Sequence, residues 1–399
     1  MASTATKRIV IGSGREKSLR RRHPWIFSGA IERVEGGPEP GDTVDVLDRR
    51  GAFLARAAWS PASQIRARAW TFDPEERVDD AFFGRRVSRA VETRARLGLL
   101  DADEACRVVY AESDGLPGVI ADRYGRHVVC QFLSAGAERW RDVIVAALGD
   151  ALTPAGIYER SEGAARRKEG LASRRQVLAG AEPPPRLEFR SGGLQRIVDV
   201  AHGQKTGAYL DQQLNRQRVA RHAAGASVLD AFAYTGGFAT AAVVAGAKSA
   251  VLLDSSGDAL RAAREEAALN GVADRCRFVE ADVFDELRAL REQGRRFDLI
   301  VMDPPKFVHS AQQVAAGSRG YKDVNLLALQ LLAPGGILAT FSCSGHVDAA
   351  LFQKILAGAA VDAGRPVQIL ERFTQPPDHP VALEFPEADY LNGLLLTAH

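Results

Sequence analysis

Downstream of Pro185 the chain repeats one pattern: a short apolar run, a turn, then a stretch long enough for a helix. The runs are Val228-Leu229, Ala250-Val251-Leu252-Leu253, Phe278-Val279, Leu299-Ile300-Val301-Met302 and Ile337-Leu338-Ala339. Strands alternating with helices pair in parallel through crossovers, so this part of the chain predicts an α/β, Rossmann-like sheet. The first four runs each end in an acid or lead to one: Asp230, Asp254, Asp282 and Asp303. Ligands of such sheets bind outside the carboxyl ends of the strands, so the four acids mark a ligand site.

The turn after the first run reads Asp230-Ala231-Phe232-Ala233-Tyr234-Thr235-Gly236-Gly237-Phe238. Its glycines let backbone pass close to a ligand. The G-x-G-x-x-G spacing that seats a pyrophosphate on a helix N-terminus is absent, and an acid precedes the turn instead. An acid there suits a cationic ligand without phosphates, such as the ammonium and sulfonium of S-adenosyl-L-methionine, with Tyr234, Thr235 and Gly236 lining the turn. Asp254 follows Asp230 by 24 residues and, with Ser255 after it, stands where a second strand offers an acid to ribose hydroxyls. Asp282 is placed to accept from an adenine amino group. Asp254 and Asp282 can equally serve as helix N-caps. As a set with the turn, they specify a class I methyltransferase.

Cys343 closes the fifth run in Phe341-Ser342-Cys343-Ser344, and the fourth run ends in Asp303-Pro304-Pro305-Lys306-Phe307. A thiol and a carboxylate-Pro-Pro turn at two strand ends suit covalent chemistry on a flat heterocycle beside a cofactor. The alternative is a small buried Cys closing a strand.

At 399 residues the chain is too long for one ordinary core. Residues to about Pro74 alternate short apolar runs with turns and predict a β-rich module, assigned to 1–76. A helix is expected over about 78–100, and a hairpin turning at Arg123-Tyr124-Gly125 within a central α/β domain, 77–185. Pro183-Pro184-Pro185 marks its end, and 186–399 forms the nucleotide-binding domain. The net charge of +2 conceals basic clusters, one at Lys7, Arg8, Arg15, Lys17 and Arg20 to Arg22, the other at Arg160, Arg166 to Lys168, Arg174 and Arg175. Such runs are usually solvated faces; beside a cofactor domain they also fit a phosphate-backbone footprint. Trp25, within His23-Pro24-Trp25-Ile26-Phe27, is either core or a stacking surface for bases. No apolar stretch is long enough to cross a bilayer and no secretory leader is read, so a cytoplasmic protein with no membrane partner is expected. The four cysteines lack metal-clip spacing, so no metal is expected.

The chain also resembles a known family, the large-subunit ribosomal RNA cytosine-5 methyltransferases of the RlmI type. The likeness runs through Arg22-His23-Pro24-Trp25-Ile26-Phe27-Ser28-Gly29, Ala111-Glu112-Ser113-Asp114-Gly115-Leu116-Pro117-Gly118 and the stretch Lys205 to Gln213. It continues in Asp303 to Phe307, Gly320-Tyr321-Lys322-Asp323-Val324-Asn325, Phe341 to Ser344, Asp378-His379-Pro380 and Tyr390-Leu391. The resemblance implies a PUA-type RNA-binding domain first, a central α/β domain with a hairpin, and a C-terminal class I methyltransferase. It implies S-adenosyl-L-methionine as cofactor and large-subunit (23S) ribosomal RNA as partner, and leaves a homodimer open.

In such an enzyme Cys343 adds as thiolate to cytosine carbon-6, making carbon-5 nucleophilic. Pro304, Pro305, Lys306 and Phe307 would hold the target base, with Arg22 and Trp25 on the RNA. Asp211 and Gln212 would close over the methionine end of the cofactor, or Asp211 is an ordinary helix-start acid. Other RNA cytosine-5 methyltransferases carry a second Cys after the Pro of the fourth-strand motif. Here Asp303-Pro304-Pro305-Lys306 has none, so the base for the carbon-5 proton falls to Asp303 or a water it holds. Two further functions fit the chain: methylation of another ribosomal RNA atom, such as a guanine nitrogen, and a non-catalytic assembly role.

Overall fold

The structure, a computed structural model, describes residues 7–101, 103–200 and 207–399. It divides into two compact units: 1–189 with 198–210 and 377–388, and 190–197 with 211–376 and 389–399.

The first unit carries a six-stranded sheet built from Arg8–Ile11, Trp25–Phe27, Ile31–Glu35, Thr43–Leu47, Phe53–Trp59 and Ile65–Thr71, the expected β-rich module. It also carries a five-stranded sheet in which Val119–Tyr124 and His127–Phe132 form the expected hairpin. The helix expected over 78–100 spans Asp80–Arg96, started by the Asp79 carboxylate accepting from the Phe82 N–H.

The two units do not follow the bounds of the three expected segments. Residues before 76 have a core of their own around Ile9, Val46 and Ala67, while Ala58 and Trp70 of the same sheet also join a second core with Phe82, Phe83 and Val87. Trp70 packs edge-on against Phe83 at 5.1 Å. In the helix Ala135–Arg139, a Cβ on Gly136 would stand 2.9 Å from the Trp70 ring, so only glycine allows this approach. The Pro183 to Pro185 run also falls inside the first unit. Leu187 and Phe189 beyond it still pack with Tyr124, Val129 and Tyr158.

The second unit holds a seven-stranded sheet: β1 (Ser227–Ala231), β2 (Ser249–Asp254), β3 (Cys276–Glu280), β4 (Phe297–Met302), β5 (Leu332–Ser342), β6 (Val367–Phe373) and β7 (Asn392–Ala398). Their order is β3-β2-β1-β4-β5-β7-β6, with β1 to β5 parallel and β7 antiparallel to both neighbours. Helices α1 (Gly237–Val244), α2 (Gly257–Leu269), α3 (Val283–Glu292), α4 (Val314–Leu331) and α5 (Ala349–Ala363) make the connections. The inner strands are mostly apolar, as burial on both faces requires, with Asp230 a buried exception near the end of β1. In register, Ala231 lies beside Leu253 on one side and Met302 on the other, and Met302 lies beside Thr340. The carboxyl ends of β2, β1, β4 and β5 are therefore level, and strand order reverses between β1 and β4. That reversal opens the crevice in which such sheets bind ligands.

Candidate functional site

Four of the sequence-predicted acids stand along this edge. Asp230 lies within β1, 1% exposed, and its Oδ2 accepts from the Ala239 N–H of α1 at 2.9 Å. Burial and the neighbouring Asp303 and Asp254 charges push its carboxyl up to about 8 despite that bond and Arg216. Asp254 ends β2; its Oδ2 accepts from the Tyr234 N–H at 2.8 Å and its Oδ1 from the Ser256 N–H at 2.9 Å. It does not cap α2, because Ser256 does so through its own hydroxyl. Asp282 is exposed and does cap its helix, accepting from the Asp285 N–H at 3.1 Å.

The turn between β1 and α1 is held by these acids. Phe232 and Tyr234 both adopt left-handed backbone, at φ 62° and 50°, and Gly236 has φ 70°. Such conformations in bulky residues persist only where surroundings enforce them, here the Asp254 bond to Tyr234. Thr235 Oγ1 accepts from Arg196 Nη2 at 3.1 Å, and Arg196 is ion-paired with Glu266 at 2.7 Å, both buried. Ser255 is exposed beside the turn. A Cβ on Gly236 would stand 2.5 Å from Leu252 Cδ2 and 3.1 Å from Ala263 Cβ. Gly236→Val is therefore expected to combine about 1–2 kcal/mol of left-handed strain with about 1–3 kcal/mol of overpacking. Calorimetric titration with S-adenosylmethionine checks this. At least a tenfold loss of affinity in folded protein is the expected outcome, and unchanged affinity would show that the turn does not shape the ligand site.

Asp303 follows β4, half-buried, and its Oδ1 accepts from Gln212 Nε2 at 3.0 Å. Gln212 belongs to a short 3-10 turn, Leu210–Gln212, that opens the helix Gln213–Ala220. The Asp211 beside it is buried, with its Oδ2 accepting from the Tyr390 hydroxyl at 2.5 Å. Tyr209 is half-buried, while Lys205 and Thr206 of the same motif lie outside the described residues. Arg216, one helical turn on, sits among Arg196, Asp211, Asp303 and Glu266. Burial, with the charge of Arg196, lowers its guanidinium to about 10.

Beyond Asp303, Pro304 is buried, Pro305 and Lys306 are exposed, and Phe307 is half-buried against Tyr321, ring centroids 4.8 Å apart. Cys343 lies one residue past β5, half-buried between the buried Ser342 and Ser344. Ser344 Oγ accepts from the Val308 N–H at 3.3 Å and is hydrogen-bonded to the Tyr321 hydroxyl at 2.9 Å. That single hydroxyl ties the loop after β4 to the loop carrying the thiol. Burial pushes the Cys106 and Cys130 thiols far above the ordinary range and Cys276 to about 11.

In the first unit Arg22 is exposed with φ 62°. Trp25 is half-buried: its indole N–H donates to Glu112 at 2.8 Å and its ring meets Phe385 at 4.8 Å. The exposed ring in that stretch is Phe27, 50% accessible. Sequence reasoning gave no role to Tyr321 and Ser344, which stood inside the motifs quoted above, and did not single out Asn215 or Arg216. Among the described residues no group of three or more His, Cys, Asp or Glu is placed to hold a metal, and no helix is long and apolar enough to cross a membrane.

Residues 169–396 match the family model of S-adenosylmethionine-dependent methyltransferases, and residues 9–72 match that of PUA-like domains. The chain is 51% identical over 387 residues to Ribosomal RNA large subunit methyltransferase I of Salmonella arizonae, covering 97% of this chain and 96% of that one. It is 50% identical over 389 residues to the protein of the same name from Erwinia tasmaniensis, covering 97% and 98%. Among solved structures, a Streptococcus mutans chain described as a SAM-dependent methyltransferase matches with TM-score 0.84 at 22% identity, covering 98% of this chain and 99% of that one. A methyltransferase chain complexed with SAH matches with the same score, identity and coverage. At that identity the likeness establishes the fold.

Proposed function

Since the chain belongs to the family of Ribosomal RNA large subunit methyltransferase I, we propose that it forms 5-methylcytosine in large-subunit ribosomal RNA through a covalent adduct of Cys343. The cofactor is S-adenosylmethionine, and a ribosomal RNA substrate would place the enzyme in the cytoplasm. The observation that carries the proposal is the bond that the Val308 N–H donates to Ser344 Oγ, which sets the thiol loop against the Asp303-Pro304-Pro305 loop.

The acids at the strand ends fit the cofactor. Burial above all, and then the charges of Asp303 and Asp254, keep on Asp230 a proton that an aspartate in water loses near pH 4. A cation at that edge relieves the repulsion. Asp230, the Phe232 to Gly236 turn and Asp211 would hold the methionine end, Asp254 and Ser255 the ribose, and Asp282 the adenine.

The chemistry follows from the substrate's electronics. Carbon-5 of cytosine is a poor nucleophile. The Cys343 thiolate adds to carbon-6, breaks the ring's conjugation and leaves carbon-5 enamine-like. S-adenosylmethionine supplies a methyl group on a cationic sulfur, which an electron-rich carbon attacks. Asp303 then takes the carbon-5 proton, and expulsion of the Cys343 sulfur restores the ring. Pro304, Pro305, Lys306 and Phe307 would border the base, which must leave any stack to reach the thiol. Arg22 and the ring at Trp25 and Phe27 offer charge and stacking to the flanking strand.

The Asp230 carboxyl gives a pH dependence with a definite sign. Below about pH 8 the ligand-free protein carries its proton. Binding a cation favours the ionised form and expels that proton, so affinity should rise with pH and level off above about 8. Calorimetry at pH 7 in two buffers of different ionisation enthalpy should report release of about one proton on binding S-adenosylmethionine. Asp230→Asn should abolish the release; a buffer-independent heat in the wild type would contradict the assignment. The product itself is tested by bisulfite mapping of ribosomal RNA from wild-type and deletion strains. One cytosine protected only in the wild type is expected, and identical maps would refute the cytosine-5 assignment.

A further inference from the structure

Behind Asp303 lies a chain of two side-chain amides whose direction is fixed at its far end. Asn215 Nδ2 donates to the backbone carbonyl of Thr374 at 3.1 Å and to Gln212 Oε1 at 2.8 Å. Gln212 Nε2 in turn donates to Asp303 Oδ1 at 3.0 Å. Asn215 and Gln212 are 0% and 2% exposed. A carbonyl only accepts, so Thr374 compels Asn215 to present its NH2 group, and the second hydrogen of that group meets the Gln212 oxygen. Gln212 is left with its own NH2 group toward Asp303. The reverse orientation would set the Asn215 oxygen against the Thr374 carbonyl. Asn215 Oδ1 has no partner among the described residues. The network therefore leaves a buried acceptor unsatisfied in order to keep both donors engaged.

We infer that Asn215 and Gln212 are positioning residues that hold Asp303 ionised and fixed in rotamer, through the bond that Gln212 donates to its Oδ1. A donor facing a carboxylate favours its charged form; an acceptor there would require a proton on it. An ionised Asp303 is the form that can take a proton from carbon-5. In that respect the inference rests on the function proposed above, while the relay itself rests on the hydrogen bonds alone. Other charged and titratable groups surround Asp303. Arg216 on the helix Gln213–Ala220 and Asp230 on β1 both interact with it electrostatically. Asp211 precedes Gln212 in the turn, Lys306 follows in the same loop, and β5, paired with β4, leads to Cys343. None of these changes in the variants below.

The test reads Asp303 directly in the ligand-free, full-length protein. Carbon-13 aspartate labelling gives its carboxyl titration by NMR, assigned by the signal lost in Asp303→Asn. Gln212→Met keeps the shape and removes the donor. Asn215→Asp leaves only acceptors, so Gln212 must turn its NH2 group to the new carboxylate and its oxygen to Asp303. Both variants should raise the Asp303 midpoint, Asn215→Asp by about one pH unit or more, a tenfold gain in proton affinity. The pH profile of methyl transfer should move in the same direction. An unchanged midpoint in folded Gln212→Met protein overturns the relay. A shifted midpoint in an enzyme that makes no 5-methylcytosine would leave the relay standing and remove the function instead.

Discussion

Cys343→Ala is expected to lower methyl transfer by about 10⁴-fold or more, on the scale seen when a covalent nucleophile is removed. S-adenosylmethionine affinity should stay within about twofold of the wild type, because uniform binding does not depend on the nucleophile. The asymmetry follows from position. Cys343 stands past β5, on the loop tied by Ser344 to Val308, whereas Asp230, Asp254 and Asp282, read as cofactor ligands, belong to β1, β2 and the start of α3. The other three thiols cannot substitute. Cys106 and Cys130 are buried in the first unit, and Cys276 starts β3, at the opposite end of a parallel strand from the crevice. Turnover on ribosomal RNA with labelled cofactor checks the first quantity and calorimetry the second. Methylation of a guanine nitrogen would need no thiol, so a fully active Cys343→Ala enzyme would point to that chemistry.

Asp114→Ala is expected to destabilise the first unit by about 3–5 kcal/mol, the cost of stranding a buried charge. Arg94 is 0% exposed and makes a bidentate pair with Asp114, at 2.7 and 2.8 Å. Its remaining donors go to the backbone carbonyls of Arg107 and Asp378, at 3.0 and 2.9 Å. Removing the carboxylate leaves a guanidinium that neither water nor another acid reaches. Asp378 is itself anchored, its Oδ2 accepting from the Arg107 N–H at 2.9 Å and its Oδ1 bonded to His379. The Asp114 substitution should therefore also loosen the 377–388 segment. Urea unfolding monitored by tryptophan fluorescence measures the loss, and hydrogen exchange over 377–388 the loosening. A midpoint within error of the wild type would mean that Arg94 finds water in the fold.

The sheet was legible because its physics is periodic. Apolar runs spaced for βα units placed all five parallel strands, and the acids marked their carboxyl ends. The helix Asp80–Arg96 was legible for the same reason, except at its end. Apolar Leu97 is 52% exposed, while Arg94 takes the buried position because Asp114 and two carbonyls satisfy it. No hydropathy pattern reveals a charge that the fold will neutralise from a loop 20 residues away. Domain boundaries are harder to read for a related reason. The prolines at 183–185 are strong local breaks, but Leu187 and Phe189 rejoin the core behind them, and the 377–388 segment belongs to the first unit from a position far along the chain. At the site, Cys343, Asp303 and the turn stood out by residue type. Gln212 was read only as a cofactor contact, and Asn215 did not stand out. Asn215 and Gln212 gain their meaning from a carbonyl at Thr374, a partner 159 residues distant in sequence and without any side-chain signature.

The central claim is that the thiol of Cys343 attacks the base. RNA carrying 5-fluorocytidine at the target position tests it most directly, because a fluorine at carbon-5 cannot leave as a proton does and the final elimination stalls. With S-adenosylmethionine present, a denaturant-stable protein–RNA adduct is expected, whose nucleotide-bearing peptide contains Cys343. The absence of an adduct in an enzyme that methylates the unmodified RNA, or its attachment to another residue, would contradict it.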